Sequence, residues 1–253
     1  MSKYALCVGI NAYPAGSELS GCINDAADWG EVLAQRGYSV AYLLDGEATL
    51  ENIKDALRKL VDLGHYRDRI VFTYSGHGTW EHDVDGDESD NRDEAICPVD
   101  CFSVGMLFDD EIRAIMSHRR YGVRAAIMSD SCHSGSVNRF MSGMPTRATF
   151  RSPRFIPPYA LPIRIKPRES RALIATGNVL LSGCLDTEYS YDAWFGDRPN
   201  GAFTRVAIDA LRNEPKTYKD WMAMINATLP NDDYPQTPRL SASYYRSRWV
   251  PLA

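Results

Sequence analysis

Apolar positions cluster along the chain into five short runs: YALCVGI (4–10), YSVAYLL (38–44), RIVFTYS (69–75), VRAAIMS (123–129) and RALIATG (171–177). Each is nearly continuous rather than alternating, the pattern of strands covered on both faces. The intervening segments repeat at helical spacing. NDAADWGEVLAQRG ends in a glycine cap, and TLENIKDALRKLVDLG opens on a threonine N-cap and ends in glycine. Further on, DDEIRAIMSHRR carries acids at its start and bases at its end, which suits the helix dipole, while GAFTRVAIDALRN and TYKDWMAMINATL are amphipathic. Strand and helix alternate, which predicts an α/β fold with a mostly parallel sheet. The proline-punctuated C-terminal stretch predicts irregular chain.

Two segments break this pattern. Residues 80–94 hold eight acidic side chains against one arginine, and residues 138–170 hold seven basic side chains against Glu169 together with six prolines. The first reads as an acidic loop. The second reads as a basic, extended linker unable to form a regular element.

With 253 residues the chain can bury a sizeable core, and one α/β domain is the simplest division. A net charge of -5 gives no basic excess, so neither nucleic acid nor a membrane surface is expected as the main partner. The apolar run near the N-terminus is too short for a signal-peptide core or a bilayer span, which predicts a cytoplasmic protein. The six cysteines show no CxxC pairs and no zinc-finger spacing to histidine, so they read as small buried hydrophobes rather than a disulfide framework.

In a parallel sheet, ligands bind beyond the C-terminal ends of the strands. There the run ending at Ser75 exits into GHG, placing His77 between two glycines, and the run ending at Ser129 exits into DSCHSG, placing Cys132 at the same edge. An imidazole near a thiol can lower its pKa and later protonate a leaving amine. The backbone N–H groups of Gly78 and Cys132 could stabilise an oxyanion. Taken singly, Cys132 also reads as an inert buried thiol and His77 as a satisfied loop histidine.

YSGHG followed 55 residues later by DSCHSG resembles the His and Cys motifs of the caspase-like clan of cysteine peptidases, and most closely the metacaspases. GINAY, GCINDA, DEAICPVD, NGAFT and PQTPRL resemble metacaspase segments in the expected order. The resemblance implies a caspase-like α/β/α sandwich with a mostly parallel sheet of about six strands. A large portion (1–137) would carry the dyad, the linker would follow (138–170), and a small portion (171–253) would complete the sheet. It implies a monomeric cysteine endopeptidase that cleaves protein or peptide substrates after arginine or lysine. Cys132 would attack, His77 would act as acid and base, and Asp25, Ser75 and Asp130 would recognise the basic side chain. Strand alternation agrees, because Asp130 lies two before Cys132 and Ser75 two before His77. Asp25 also reads as a residue at the start of the first helix, and Ser75 as a loop hydroxyl.

The resemblance further implies calcium, bound by Asp93, Asp109 and Asp110; the acid expected after the cysteine is missing, the region carrying Arg139 instead. Asp109 and Asp110 read equally well as helix-capping acids. Self-cleavage in the linker, at Arg147, Arg151, Arg154, Arg164, Lys166 or Arg168, is also implied; the plainer reading is an insertion packed over the sheet or a basic patch for a partner. Asp186, Glu188 and Tyr191 could shape the substrate groove or fix their own loop. A different class of function remains open, a catalytically silent caspase-like module that binds or regulates a partner.

Overall fold

The computed structural model describes residues 1–82, 92–132, 152–164, 177–185 and 188–253. Four of the five apolar runs form parallel strands of a central sheet: β1 (Lys3–Gly9), β2 (Ser39–Leu44), β3 (Arg69–Ser75) and β7 (Arg124–Asp130). Between β3 and β7 lies a small antiparallel sheet of β4 (Gly78–His82), β5 (Arg92–Ile96) and β6 (Leu107–Phe108). The fifth run, 171–177, lies outside the described residues except for Gly177. The strand parallel to β7 is instead β9 (Val179–Ser182).

Two expectations are corrected. The linker does contribute regular structure, since β8 (Ser152–Pro153) pairs antiparallel with β10 (Tyr191–Phe195), which continues into β11 (Arg198–Gly201). Proline is tolerated there because β8 is a two-residue edge strand. The C-terminal stretch likewise holds β12 (Arg239–Ser241), antiparallel to β9 and starting just past Pro238. The central sheet therefore runs in the order β12-β9-β7-β3-β1-β2.

Five helices follow the pattern read from the sequence, α1 (Cys22–Gln35), α2 (Leu50–Leu63), α4 (Asp109–Ser117), α5 (Ala202–Leu211) and α6 (Tyr218–Asn226), although α4 ends before the bases Arg119 and Arg120; a short α3 (Cys101–Val104) adds to them. Thr49 and Thr217 cap α2 and α6, their side chains accepting from the N–H groups of Asn52 and Asp220. Strand alternation sorts the core into two layers. Leu6, Val8, Ile70, Phe72 and Ile127 pack with Ile53 and Leu57 of α2 and Ile112 of α4. Ala5, Cys7, Val71, Ala126 and Met128 pack with Trp29 of α1, Phe203 of α5 and Trp221 of α6. The result is the expected three-layer sandwich. All six cysteines are buried and unbridged, and no helix among the described residues is long and apolar enough to cross a membrane.

Candidate active site

The parallel register places Gly9, Ser75 and Asp130 side by side at the carboxyl ends of β1, β3 and β7. Asp25, in the first turn of α1, reaches the same point: Ser75 Oγ donates to its Oδ2 at 2.5 Å. Asp25 also accepts from Asn200 Nδ2 at 2.9 Å and from the Gly201 N–H. Asp130 accepts from the Thr204 N–H at 2.9 Å and from Thr204 Oγ1 at 2.8 Å, and it is hydrogen-bonded by Ser190 Oγ. Both carboxylates are buried.

A third carboxylate, not singled out from the sequence, completes the pocket. Asp192 of β10 accepts from the N–H groups of Ser20 and Gly21 at the entrance to α1, at 2.8 and 2.9 Å. Close packing here demands glycine, because a methyl group at Gly201 would collide with Asp130 Oδ2 and the Arg154 guanidinium.

The pocket is filled from within the chain. Arg154, 0% exposed, follows β8 and extends its guanidinium among all three carboxylates. Nη2 lies 2.7 Å from Asp25 Oδ2 and 2.9 Å from Asp192 Oδ1; Nη1 lies 3.2 Å from Asp130 Oδ1 and donates to Ser75 Oγ at 2.7 Å. Burial disfavours the charged guanidinium, but Asp130, Asp25 and Asp192 outweigh it and hold its pKa well above the usual value. Burial raises the pKa of Asp25, an effect that Arg154 opposes and the charge of Asp130 reinforces. The two-pronged geometry is the kind that guanidinium makes and a lysine ammonium does not reproduce.

The backbone of Arg154 is held as firmly as its side chain. Its carbonyl oxygen accepts from the N–H groups of Gly78 and Cys132, at 2.9 and 3.2 Å, the two donors named from the sequence. Its own N–H donates to the Ser190 carbonyl at 3.0 Å, and the Ile156 N–H donates to the Gly78 carbonyl at 3.0 Å. The chain thus crosses this edge extended and hydrogen-bonded on both sides of the Arg154–Phe155 peptide bond.

His77 and Cys132 both neighbour Arg154, whose backbone the His77 ring meets and whose carbonyl accepts from the Cys132 N–H. The His77 backbone is fixed by Tyr13 and Tyr74: its N–H donates to Tyr13 Oη at 3.1 Å and its carbonyl accepts from Tyr74 Oη at 2.7 Å. Nε2 lies 2.7 Å from the Ser17 carbonyl, so it carries the proton, because a carbonyl can only accept. Nδ1 is left buried with no hydrogen-bond partner among the described residues. Burial lowers the His77 pKa to about 4 despite the favourable Ser17 carbonyl, so the ring is neutral at pH 7. The Cys132 thiol rests against the Ser190 backbone, donating to its carbonyl at 3.1 Å and accepting from its N–H at 2.6 Å.

The other sequence-named residues make contacts outside the pocket, although Tyr191 sits in the chain between Ser190 and Asp192. Asp109 and Asp110 both pair with Arg113, and among the described residues no three acidic, histidine or cysteine side chains converge as a metal site. Arg164 pairs with Glu111, while Arg147, Arg151, Lys166 and Arg168 lie outside the described residues. Glu188 fixes its own loop through the N–H and hydroxyl of Thr237, the Tyr191 N–H donates to Gln236, and Asp186 lies outside the described residues.

A thiol and a neutral imidazole at the carboxyl edge of a six-stranded, mostly parallel sheet, beside a peptide bond bound in extended form, define the class of protein: a cysteine peptidase of caspase-like fold. The family model for the metacaspase, peptidase C14 domain matches residues 3–140, more than half of the chain. Metacaspase-1 of Meyerozyma guilliermondii is 30% identical over 96% of this chain and 70% of its own length. Metacaspase-1A of Aspergillus fumigatus is 32% identical over 96% of this chain and 69% of its own. The chain belongs to the metacaspase family. Among solved structures, a protein from Geobacter sulfurreducens superposes with a TM-score of 0.74 at 26% identity, over 100% of this chain and 99% of that one. Caspase-1 from Spodoptera frugiperda does so at 0.60, with 10% identity over 95% of this chain and 85% of its own, which shows the shared fold.

Proposed function

We propose that the protein is a cysteine endopeptidase that cleaves after arginine or lysine, with Cys132 as nucleophile and His77 as acid and base. The single observation that carries this reading is Arg154, whose side chain fills the three-carboxylate pocket while its carbonyl oxygen rests on two backbone donors. A substrate arginine bound the same way would present its carbonyl carbon for attack. Sγ adds to that carbon, and the oxyanion gains from the N–H groups of Gly78 and Cys132. The C–N bond then breaks, and His77 delivers through Nδ1 the proton it took from the thiol to the departing amine. Water resolves the thioester by the reverse proton path. Asp25, Asp130, Asp192 and Ser75 select a cation and repel an acidic side chain. Arginine is the better fit, because Nη1 and Nη2 reach different carboxylates.

Self-processing is part of the proposal, at Arg154, whose carbonyl, alone among the described linker bases, meets the oxyanion donors. Calcium activation rests on the resemblance and on chain topology: Ala95 pairs with Phe108, which brings the chain positions of Asp93 and of Asp109 and Asp110 together. Binding there would have to displace Arg113. The free, buried cysteines suit a cytoplasmic setting, and the reading takes the protein as a monomer. One observation also suits a silent module: a site plugged by its own chain could be sealed permanently.

The experiment compares wild type and Cys132→Ala on fluorogenic peptides ending in arginine, lysine or aspartate, with calcium and with chelator. The expected result is cleavage after arginine and lysine only, lowered at least about 10³-fold in the variant, and weaker with chelator.

A further inference from the structure

The chain beyond the Arg154–Phe155 bond is built into the body of the protein. The Ile156 side chain is 2% exposed and joins the core layer that contains Leu161. Eight residues further on, Arg164 forms a two-pronged ion pair with Glu111 of α4, Nη2 donating to Oε1 at 2.9 Å and Nη1 donating to Oε2, and Nη1 also donates to the Met106 carbonyl at 2.9 Å. Lys54 of α2 lies 3.3 Å from the same carboxylate. Burial alone would raise the Glu111 pKa, but Arg164 and Lys54 outweigh it and hold it below the usual range, so the pair stays charged.

A peptidase acting on a foreign chain loses the amine half of its product by diffusion. Here that half cannot leave without pulling Ile156 and Leu161 from the core and breaking the Arg164 ion pair. We propose that Arg164 and Glu111 are positioning residues that hold the leaving amine of Phe155 beside the acyl-enzyme, so that the cut at Arg154 reseals. The proposal rests on the peptidase reading and assigns its linker a role as a resealable internal substrate.

The chemistry balances without a further reactant. Cys132 Sγ bonds to the Arg154 carbonyl carbon, the bond to the Phe155 nitrogen breaks, and that nitrogen takes a proton from His77. In the return step the Phe155 amine attacks the thioester, the peptide bond re-forms, Sγ leaves, and the amine's proton passes through His77 to Sγ, restoring the thiol and the neutral imidazole. Effective molarities of well-positioned intramolecular nucleophiles reach about 10⁵ M or more, so the held amine outcompetes water.

The test incubates wild type, Arg164→Gln, Arg164→Lys, Arg154→Ala and Cys132→Ala in calcium-containing buffer, with and without hydroxylamine, and follows intact mass. Thermal melts establish that each variant is folded. Resealing predicts that wild type stays mostly intact in buffer but that hydroxylamine yields a fragment ending in an Arg154 hydroxamate. Arg164→Gln would be cut by water at least about 10-fold faster than wild type, and Arg164→Lys would fall between. Cys132→Ala, unchanged throughout, controls for direct attack by hydroxylamine. Equal hydrolysis of wild type and Arg164→Gln overturns the positioning role, as does the absence of any hydroxamate. If no chain is cut while Arg154→Ala hydrolyses arginine peptides, resealing falls and the peptidase reading stands. If Arg154→Ala is silent on arginine peptides as well, the peptidase reading falls and this proposal with it.

Discussion

At the amino ends of β1, β3 and β7, Lys3, Arg69 and Arg124 stand in register, and six residues on, at the carboxyl ends, Gly9, Ser75 and Asp130 do the same. The first row bears three like charges whose partners are the Arg36 carbonyl, the Met1 sulfur and the Trp249 ring. Water reaches it and screens the repulsion. The second row opens into a dry pocket where Asp130 is joined by Asp25 and Asp192. Buried charges without a partner are expensive, so this end depends on a guanidinium from the linker. One sheet thus tolerates like charge at one end through solvent and at the other only through occupancy. The pocket that would bind a basic side chain is also the least self-sufficient part of the fold.

The largest way to break that asymmetry is Arg154→Ala, which leaves three carboxylates facing one another. Stability should fall by about 3–5 kcal/mol, measured by urea denaturation at pH 7, and agmatine, a free guanidinium, should restore part of it while sodium does not. Asp130→Asn attacks the same pocket from the sheet side. It should lower kcat/KM for arginine peptides by roughly 10²-fold and weaken the preference over neutral residues, as steady-state kinetics would show.

A subtler contrast lies in pH. The His77 pKa of about 4 is below its unfolded value near 6.5, so the unfolded chain binds the extra proton first. The stability that His77 contributes is present above pH 6.5 and is lost as pH falls toward 4, about 3 kcal/mol over the full interval. Asp25, with a raised pKa, works in the opposite sense, contributing stability that is lost as pH rises through its folded pKa. Melting curves of wild type and His77→Gln between pH 4 and 7 share the Asp25 contribution, so the steeper acid loss in wild type isolates the histidine. At the other end of the sheet, Arg124→Gln should change stability by less than about 0.5 kcal/mol.

The sequence was most legible where apolar burial is continuous. The run 69–75 is β3 to the residue, and the threonine cap of α2 is where the pattern put it. Ser75, Asp25 and Asp130 came as a set through the family resemblance; strand register unites Ser75 with Asp130, and Asp25 reaches Ser75 from α1. Asp192, Ser190 and Asn200 escaped notice because no periodicity singles them out; Asp186, Glu188 and Tyr191 were named from the same stretch instead. Arg154 was one of seven linker bases, six of them named as possible cleavage sites, and nothing local separates it from the others. Its selection depends on long-range pairing, of β8 with β10 and of Gly78 with the chain around Phe155. β12 was hidden by flanking prolines, and its three residues are fixed by β9 rather than by their own pattern.

The central claim is that Arg154 occupies the pocket as a substrate arginine would. The most direct measurement is the initial rate of Arg154→Ala and wild type on fluorogenic peptides ending in arginine, lysine and aspartate, with Arg154→Ala/Cys132→Ala as the blank. The account predicts that vacating the pocket speeds cleavage after arginine by at least about 10-fold, lysine less, and leaves aspartate uncut. A vacated pocket that cleaves arginine peptides no faster than wild type, or that accepts aspartate equally well, would contradict it.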